Sequence, residues 1–160
     1  MNKFGNSFKS SINHTLIAVF ILLFFISGAA AAQIEAKVIS KVIDGDTIWL
    51  KGGEKVRYVG IDTPEIDEEY YEEAKKRNKE LLGEGDVSVE NCAQEPKDRY
   101  GRTLAWIYVE GADVGLTLLR EGLAKVLRIP PCGDIKHEEY LAAQKEAQRK
   151  GLGLWSVEGP

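Results

Sequence analysis

Apolar and polar residues change rhythm several times along this chain, and each change marks an expected element. Between residues 35 and 50 the β-formers Val38, Val42, Ile43, Ile48, Trp49 and Leu50 fall on either side of Asp44-Gly45, a tight-turn pair, which predicts two strands. Lys51-Gly52-Gly53-Glu54 makes a second turn, and a third strand runs from Val56 to Ile61, stopped by Pro64. Residues 66–82 are mostly polar and charged, with Tyr70, Ala74, Leu81 and Leu82 as apolar positions. Glu72 precedes Lys76 by four residues and Glu73 precedes Arg77 by four, so the spacing predicts a solvent-exposed helix that ends at Gly83 and Gly85. Val87–Asn91 alternates as a strand, a polar loop covers 94–101, and Leu104–Val109 is a further strand. A short helix over 114–120 stops at Gly122. After Pro130-Pro131-Cys132-Gly133, helical spacing resumes over 135–150 through Tyr140, Leu141 and Ala147. Five short strands with three helices inserted or appended define an α+β chain whose core is a small closed barrel.

Ahead of these elements the pattern is of another kind. Lys3 and Lys9 precede an apolar run from Leu16 to Ile26, and small residues follow from Ser27 to Ala32. These are the parts of a secretory signal peptide over residues 1–32, with Ala30-Ala31-Ala32 as the cleavage signal. Read through to Ala32, the same stretch approaches the length of a short membrane anchor, which is the alternative. Both readings place a single domain, residues 33–160, outside the cytoplasm, secreted or membrane-anchored.

That location bears on Cys92 and Cys132, the only cysteines in the chain. An oxidising compartment allows them to pair. A zinc site fits less well, because the exported part has one histidine, His137, and these spacings match no zinc pattern. Charge pulls against a polyanionic partner. The chain carries a net charge of −4, and loss of both leader lysines takes it to about −6. A nucleic-acid binder ordinarily shows a basic footprint, so any grip on phosphate must come from a few well-placed arginines.

Chemistry is confined by what is missing. No G-x-S-x-G elbow, zinc-binding H-E-x-x-H helix or phosphate-cradling G-x-x-x-x-G-K loop occurs. What remains is carboxylates, arginines and a hard metal ion. They concentrate in V-I-D-G-D-T (Val42–Thr47) and R-Y-V-G-I-D-T-P-E (Arg57–Glu65). Aspartate oxygens suit Ca²⁺ or Mg²⁺. An EF-hand loop starting at Asp44 fails, since its glycine position holds Trp49 and its closing glutamate position holds Lys55. Asp44-Gly45-Asp46 is then either a plain hairpin turn or part of a metal site. Arg57 and Asp62 lie five residues apart, so an unbroken strand would put them on opposite faces. Spacing alone does not unite them.

With V-I-D-G-D-T, R-x-x-x-I-D-T-P-E, D-R-Y-G-R (Asp98–Arg102), R-E-G-L-A-K-V (Arg120–Val126) and G-L-W-S (Gly153–Ser156) in that order, the chain resembles the staphylococcal nuclease (thermonuclease) family over nearly all of residues 35–156. The resemblance implies an OB-type five-stranded β-barrel with three α-helices. It also implies a phosphodiesterase hydrolase: a Ca²⁺-dependent, sugar-nonspecific nuclease acting on DNA and RNA and leaving 3′-phosphates, as a monomer with no obligate protein partner. On that basis Asp46, Asp62 and the carbonyl of Thr63 are expected Ca²⁺ ligands, with Asp44 just behind them. Glu65 is the expected general base, and Arg57 and Arg102 the expected phosphate clamps. Arg99, Tyr100 and Arg128 are expected to contact substrate. By family position Cys92 and Cys132 come near each other, which favours their pairing.

Two departures stand out. Where the best-known family member flanks the nucleotide with two tyrosines, this chain has Arg128 and Pro130. The loop after Glu65 is short and acidic, with Asp67-Glu68-Glu69 either a solvated face or an influence on metal and substrate preference. Trp106, Tyr108 and Trp155 are expected in packing, and His137 in a structural or exposed place. Two rivals to an enzyme remain: a non-catalytic OB-fold nucleic-acid-binding module, and a calcium-dependent surface protein without turnover. The retained acids and arginines weigh against both.

Overall fold

The computed structural model describes residues 37–156, so the expected leader lies outside the described residues. Five strands curl into one sheet in the order β1 (Ile39–Val42), β2 (Thr47–Leu50), β3 (Lys55–Tyr58), β6 (Thr103–Val109), β5 (Val87–Asn91). The short β7 (Ala112–Asp113) hangs on β6. β1, β2 and β3 run antiparallel as a meander, whereas β3 and β6 are parallel. Just before β1, the Lys37 amide donates to the Val87 carbonyl at 2.8 Å, which brings the two ends of the sheet together as an OB-type barrel. Three helices, α1 (Tyr71–Leu82), α2 (Val114–Arg120) and α4 (His137–Lys150), pack around it, with the four-residue turn α3 (Cys132–Ile135) before the last. The fold is α+β, as expected.

Alternation builds the interior. Ile48 and Val56 are neighbours across β2 and β3 and are fully buried with Ile61, Leu118 and Leu119. Each such side chain contributes on the order of 1.5–3 kcal/mol of burial. A polar junction fixes the helices to this core. Asp113 caps α2 by accepting from the Leu116 amide (3.0 Å), and it also accepts from Lys136 Nζ (2.7 Å) and the Tyr140 hydroxyl (2.8 Å). Trp106 is buried and Tyr108 bonds Glu90 (2.6 Å), so both aromatics serve packing. Trp155 is half-buried in the last turn among the described residues, and His137 opens α4 half-buried.

Three differences from the sequence reading matter for the site. The expected strand over 56–61 is broken in two, β3 and β4 (Ile61–Asp62), with Gly60 at φ +84° between them. A side chain there would be strained, and its Cβ would come within 2.9 Å of the Tyr140 ring. β4 leaves the main sheet and pairs with β8 (Lys125–Val126). The helix expected from residue 66 starts at Tyr71. Asp67 and Tyr70 take left-handed conformations (φ 73° and 66°), and Glu68 accepts the Glu65 amide at 2.8 Å, so residues 65–70 form a tight acidic loop. Within α1, Arg77 turns away from Glu73 to Glu121 (2.9 Å), because a partly shielded carboxylate on another segment holds the guanidinium by more bonds than an i,i+4 neighbour does. Cys92 and Cys132 form a disulfide, as expected, with Cα atoms 6.0 Å apart.

Candidate active site

The break at Gly60 is what unites Arg57 with Asp62. After Tyr58 the chain turns, and Asp62 swings back so that its Oδ1 lies 2.7 Å from Arg57 Nη2. The other end of the guanidinium is fixed by two backbone carbonyls, those of Tyr58 (3.0 Å) and Ile61 (2.8 Å), and lies 3.0 Å from Asp46 Oδ2. Arg57 therefore bridges the two aspartates expected as metal ligands. Register supplies the third side, since Thr47 is the cross-strand partner of Arg57 and Asp46 immediately precedes it, just before β2.

Asp46 is buried and densely bonded. Its Oδ2 accepts from the Thr63 amide (2.8 Å) and hydroxyl (3.0 Å), and its Oδ1 from the Thr47 hydroxyl (3.1 Å). Asp44 Oδ1 accepts the Asp46 amide at 3.0 Å. Gly45 is required by close approach: a Cβ there would sit 2.7 Å from three Thr63 side-chain atoms. The strings D-G-D-T and D-T-P-E are thus two halves of one hydrogen-bonded unit.

Burial pushes the Asp46 carboxyl up to about 6; Arg57 opposes this, Asp44 adds to it, and the Thr63 bonds oppose it. The folded value lies above the ordinary 3.8, so stability tied to this group is fully present below about pH 4 and is lost as pH rises through 6. Asp46→Asn keeps the shape and removes the buried charge. In chelator its stability relative to the parent is expected to be greater at pH 8 than at pH 4. Urea unfolding at the two pH values checks this, and an equal change at both would contradict it.

A cleft of about 520 Å³ opens in front of Arg57. Asp62, Glu65, Arg99, Tyr100 and Arg102 all line it, on segments far apart in sequence. Arg102 is held by Asp98, Nε to Oδ2 at 2.7 Å, while Asp98 Oδ1 accepts the amides of Tyr100 (2.9 Å) and Arg102 (3.0 Å). Burial works to raise the Asp98 carboxyl, but these bonds outweigh it and hold it below the usual range. Tyr100 stands exposed on the rim, its ring 4.8 Å from the Arg99 guanidinium and 5.4 Å from that of Arg102. Asp46 lies behind Arg57, off the cleft wall. Arg128 is also off it, with its Nε 2.6 Å from Asp134, and its neighbours Leu127 and Ile129 form the wall instead.

Sequence reading missed two supporting residues. Asp98 was visible as the acid four before Arg102. Asn78 is fully buried, donating to the Asp44 carbonyl (3.0 Å) and accepting from the Tyr58 hydroxyl (2.9 Å), and so ties α1 to the D-G-D-T turn. Its signal was an amide in the buried stripe Ala74, Asn78, Leu81 of an otherwise polar helix. Oxygen donors at the site suit a hard cation, and the half-exposed Asp62 carboxylate is open to one. Among the described residues no cluster of three or more His, Cys, Asp or Glu side chains could hold a metal ion, so water and substrate oxygens would have to complete any coordination shell.

An OB-type barrel with arginines and carboxylates gathered at one cleft defines the class of protein. Residues 55–157 match the family model described as staphylococcal nuclease homologue, and the chain belongs to that family. It is 36% identical over 156 residues to a thermonuclease of Staphylococcus intermedius, covering 87% of this chain and 92% of that protein. It is 38% identical over 130 residues to endonuclease YncB of Bacillus subtilis and 37% identical over 130 residues to the SPbeta prophage-derived endonuclease YokF of the same organism, each match covering 76% of this chain. The matches span 62% and 44% of those two proteins' own lengths.

Proposed function

We propose that this protein is a Ca²⁺-dependent, sugar-nonspecific nuclease that hydrolyses phosphodiester bonds of DNA and RNA, leaves 3′-phosphate ends and works as a monomer outside the cytoplasm. The observation that carries the reading is the convergence of Arg57, Asp62, Glu65 and Arg102 on one cleft. Simple calcium capture has no use for two arginines there, whereas a phosphodiester does. Asp46, Asp62 and the Thr63 carbonyl would hold the cation. When bound, it supplies positive charge to the phosphoryl oxygens and acidifies a nearby water.

The side chains do the rest. Arg57 and Arg102 present planar, permanently charged forks that match phosphate oxygens and stabilise the charge that gathers on them. Each is already aimed by a carboxylate, Asp62 or Asp98, so little ordering is left when substrate arrives. Glu65, exposed at the cleft and held by its backbone to Glu68, takes the proton from the attacking water. Asp44 fixes the turn that presents Asp46, and Arg99 and Tyr100 contact the nucleotide. The disulfide supports the extracytoplasmic setting, and no helix among the described residues is long and apolar enough to cross a membrane.

The deciding experiment incubates purified protein with single-stranded DNA or RNA, in Ca²⁺, in Mg²⁺ or in chelator, and maps the product ends. Cleavage of both nucleic acids in Ca²⁺ alone with 3′-phosphate ends is the expected result. No Ca²⁺-dependent cleavage of either would overturn the proposal in favour of a binding module.

A further inference from the structure

A second recess, of about 470 Å³, adjoins the cleft at Tyr100. It shares Tyr100 and Arg102 with the cleft and is otherwise lined by residues such as Trp49, Lys55 and Lys97. We propose that this recess is an outlying nucleotide subsite, in which a single-stranded polynucleotide that leaves the cleft past Tyr100 meets Lys55 and Lys97 with its phosphates and Trp49 with a base. The proposal rests on the reading of the cleft as a phosphodiester site and extends it to longer substrates.

The strand register places these residues in line. Lys55 and Arg57 are two apart on β3 and so share a face, about 6.6 Å from one another along the strand. Val56 and Tyr58 point from the opposite face into the core. Across the ladder Thr47 faces Arg57 and Trp49 faces Lys55. The Trp49–Lys55 pair is therefore the next step on the outer face, leading away from the aspartates. Lys97 is held beside it, because its backbone bridges Thr103, which in turn lies against Val56 of β3.

Lys55 and Lys97 give this recess two cations on a protein that is acidic overall. Arg57, Arg102 and Arg128 each face a carboxylate. Neither Lys55 nor Lys97 forms an ion pair with a carboxylate among the described residues, so both can meet a phosphate without giving up a partner. The one acid lining the recess, Glu54, is engaged by the Thr103 hydroxyl at 2.6 Å. Trp49 is partly exposed on a strand whose neighbouring residues, Ile48 and Leu50, fill the core, and it lines the recess, where a base could stack on it. Gly52, Gly53 and Gly101 edge the recess with open space, since a Cβ at any of them meets nothing within 4 Å.

The test compares the parent with the double variant Lys55→Gln/Lys97→Gln and with Trp49→Leu. Fluorescence anisotropy in chelator measures affinity for a 12-nucleotide single strand at several salt concentrations. Steady-state cleavage in Ca²⁺ measures KM for the 12-mer and for a dinucleotide too short to reach the recess. In the double variant, 12-mer affinity is expected to fall about tenfold at 0.1 M salt and the log–log salt slope to become shallower by about 1.4. Trp49→Leu is expected to weaken the 12-mer about fivefold or more. KM for the dinucleotide should stay at the parent value in both. Unchanged 12-mer affinity and slope, or equal losses on long and short substrates, would overturn the subsite. A parent that binds the 12-mer without cutting it, and loses that binding in the variants, upholds the subsite while the nuclease reading falls. A parent that neither binds the 12-mer in chelator nor cuts it in Ca²⁺ overturns both, and one that cuts the 12-mer in Ca²⁺ with the same KM as the dinucleotide overturns the subsite alone.

Discussion

Arg57→Gln is expected to slow Ca²⁺-dependent cleavage by about 10²–10³-fold and, separately, to destabilise the metal-free fold by about 3–5 kcal/mol. The two losses have different origins. The rate loss follows if Arg57 meets the phosphate, because a preorganised donor is then missing where charge develops. The stability loss follows from what the guanidinium does at rest. Its side chain is only 10% exposed, it satisfies the carbonyls of Tyr58 and Ile61, and it is the countercharge to Asp46, itself buried under four hydrogen-bond and ionic contacts. Glutamine leaves that carboxylate without a cation. Arg57→Lys separates the effects: a lysine keeps the charge beside Asp46 and recovers part of the stability. It cannot span Asp46, Asp62 and a phosphate with one planar fork, so the rate stays low. Urea unfolding in chelator and single-turnover cleavage provide the two readouts. If Arg57→Lys cleaves at the parent rate, Arg57 is a structural cation and the phosphate grip belongs to Arg102 alone.

The same residue shows where sequence reading ran out. Strand alternation set Arg57 and Asp62 on opposite faces, and within an unbroken strand that inference was sound. Gly60 was in view, but nothing local said that it would carry φ +84° and redirect β4 to pair with β8. That choice is made by tertiary contacts, among them the Tyr140 ring packed where a Cβ would otherwise sit. By contrast, the strands around the Asp44 turn were legible because short-range turn chemistry and a two-residue period act together there. The helix start was misjudged for a related reason. Glu-rich sequence from 66 to 70 has adequate helix propensity, yet the Glu65–Glu68 bond and two left-handed residues hold it as a loop. Arg128 stood in a motif position for substrate contact, but Asp134 lies six residues on and holds its guanidinium outside the cleft wall. Asn78 and Asp98, which position the D-G-D-T turn and Arg102, act through partners that only the folded chain identifies.

Replacing both Cys92 and Cys132 by serine is expected to lower the free energy of unfolding by about 4 kcal/mol, since the bond closes a loop of 40 residues in the unfolded chain. Small domains are typically stable by only about 5–15 kcal/mol, so this is a large share. Position adds a functional consequence. Cys92 follows β5 at the root of the loop that carries Arg99, Tyr100 and Arg102, and Cys132 opens α3 directly after Leu127 and Ile129. The bond thus joins two segments that line the cleft, with Cys132 itself in the lining. Freed walls should raise KM for nucleic acid more than they lower kcat, because Arg57, Asp46 and Asp62 are held by their own bonds on β2, β3 and β4. Urea unfolding and steady-state kinetics of the double variant, beside the oxidised parent, test both parts. An unchanged unfolding midpoint would show that the core suffices alone. A midpoint that falls while KM holds would confine the bond to stability. If both move as expected, full stability and a closed cleft require an oxidising compartment, which links the export expected from the leader to the geometry of the site.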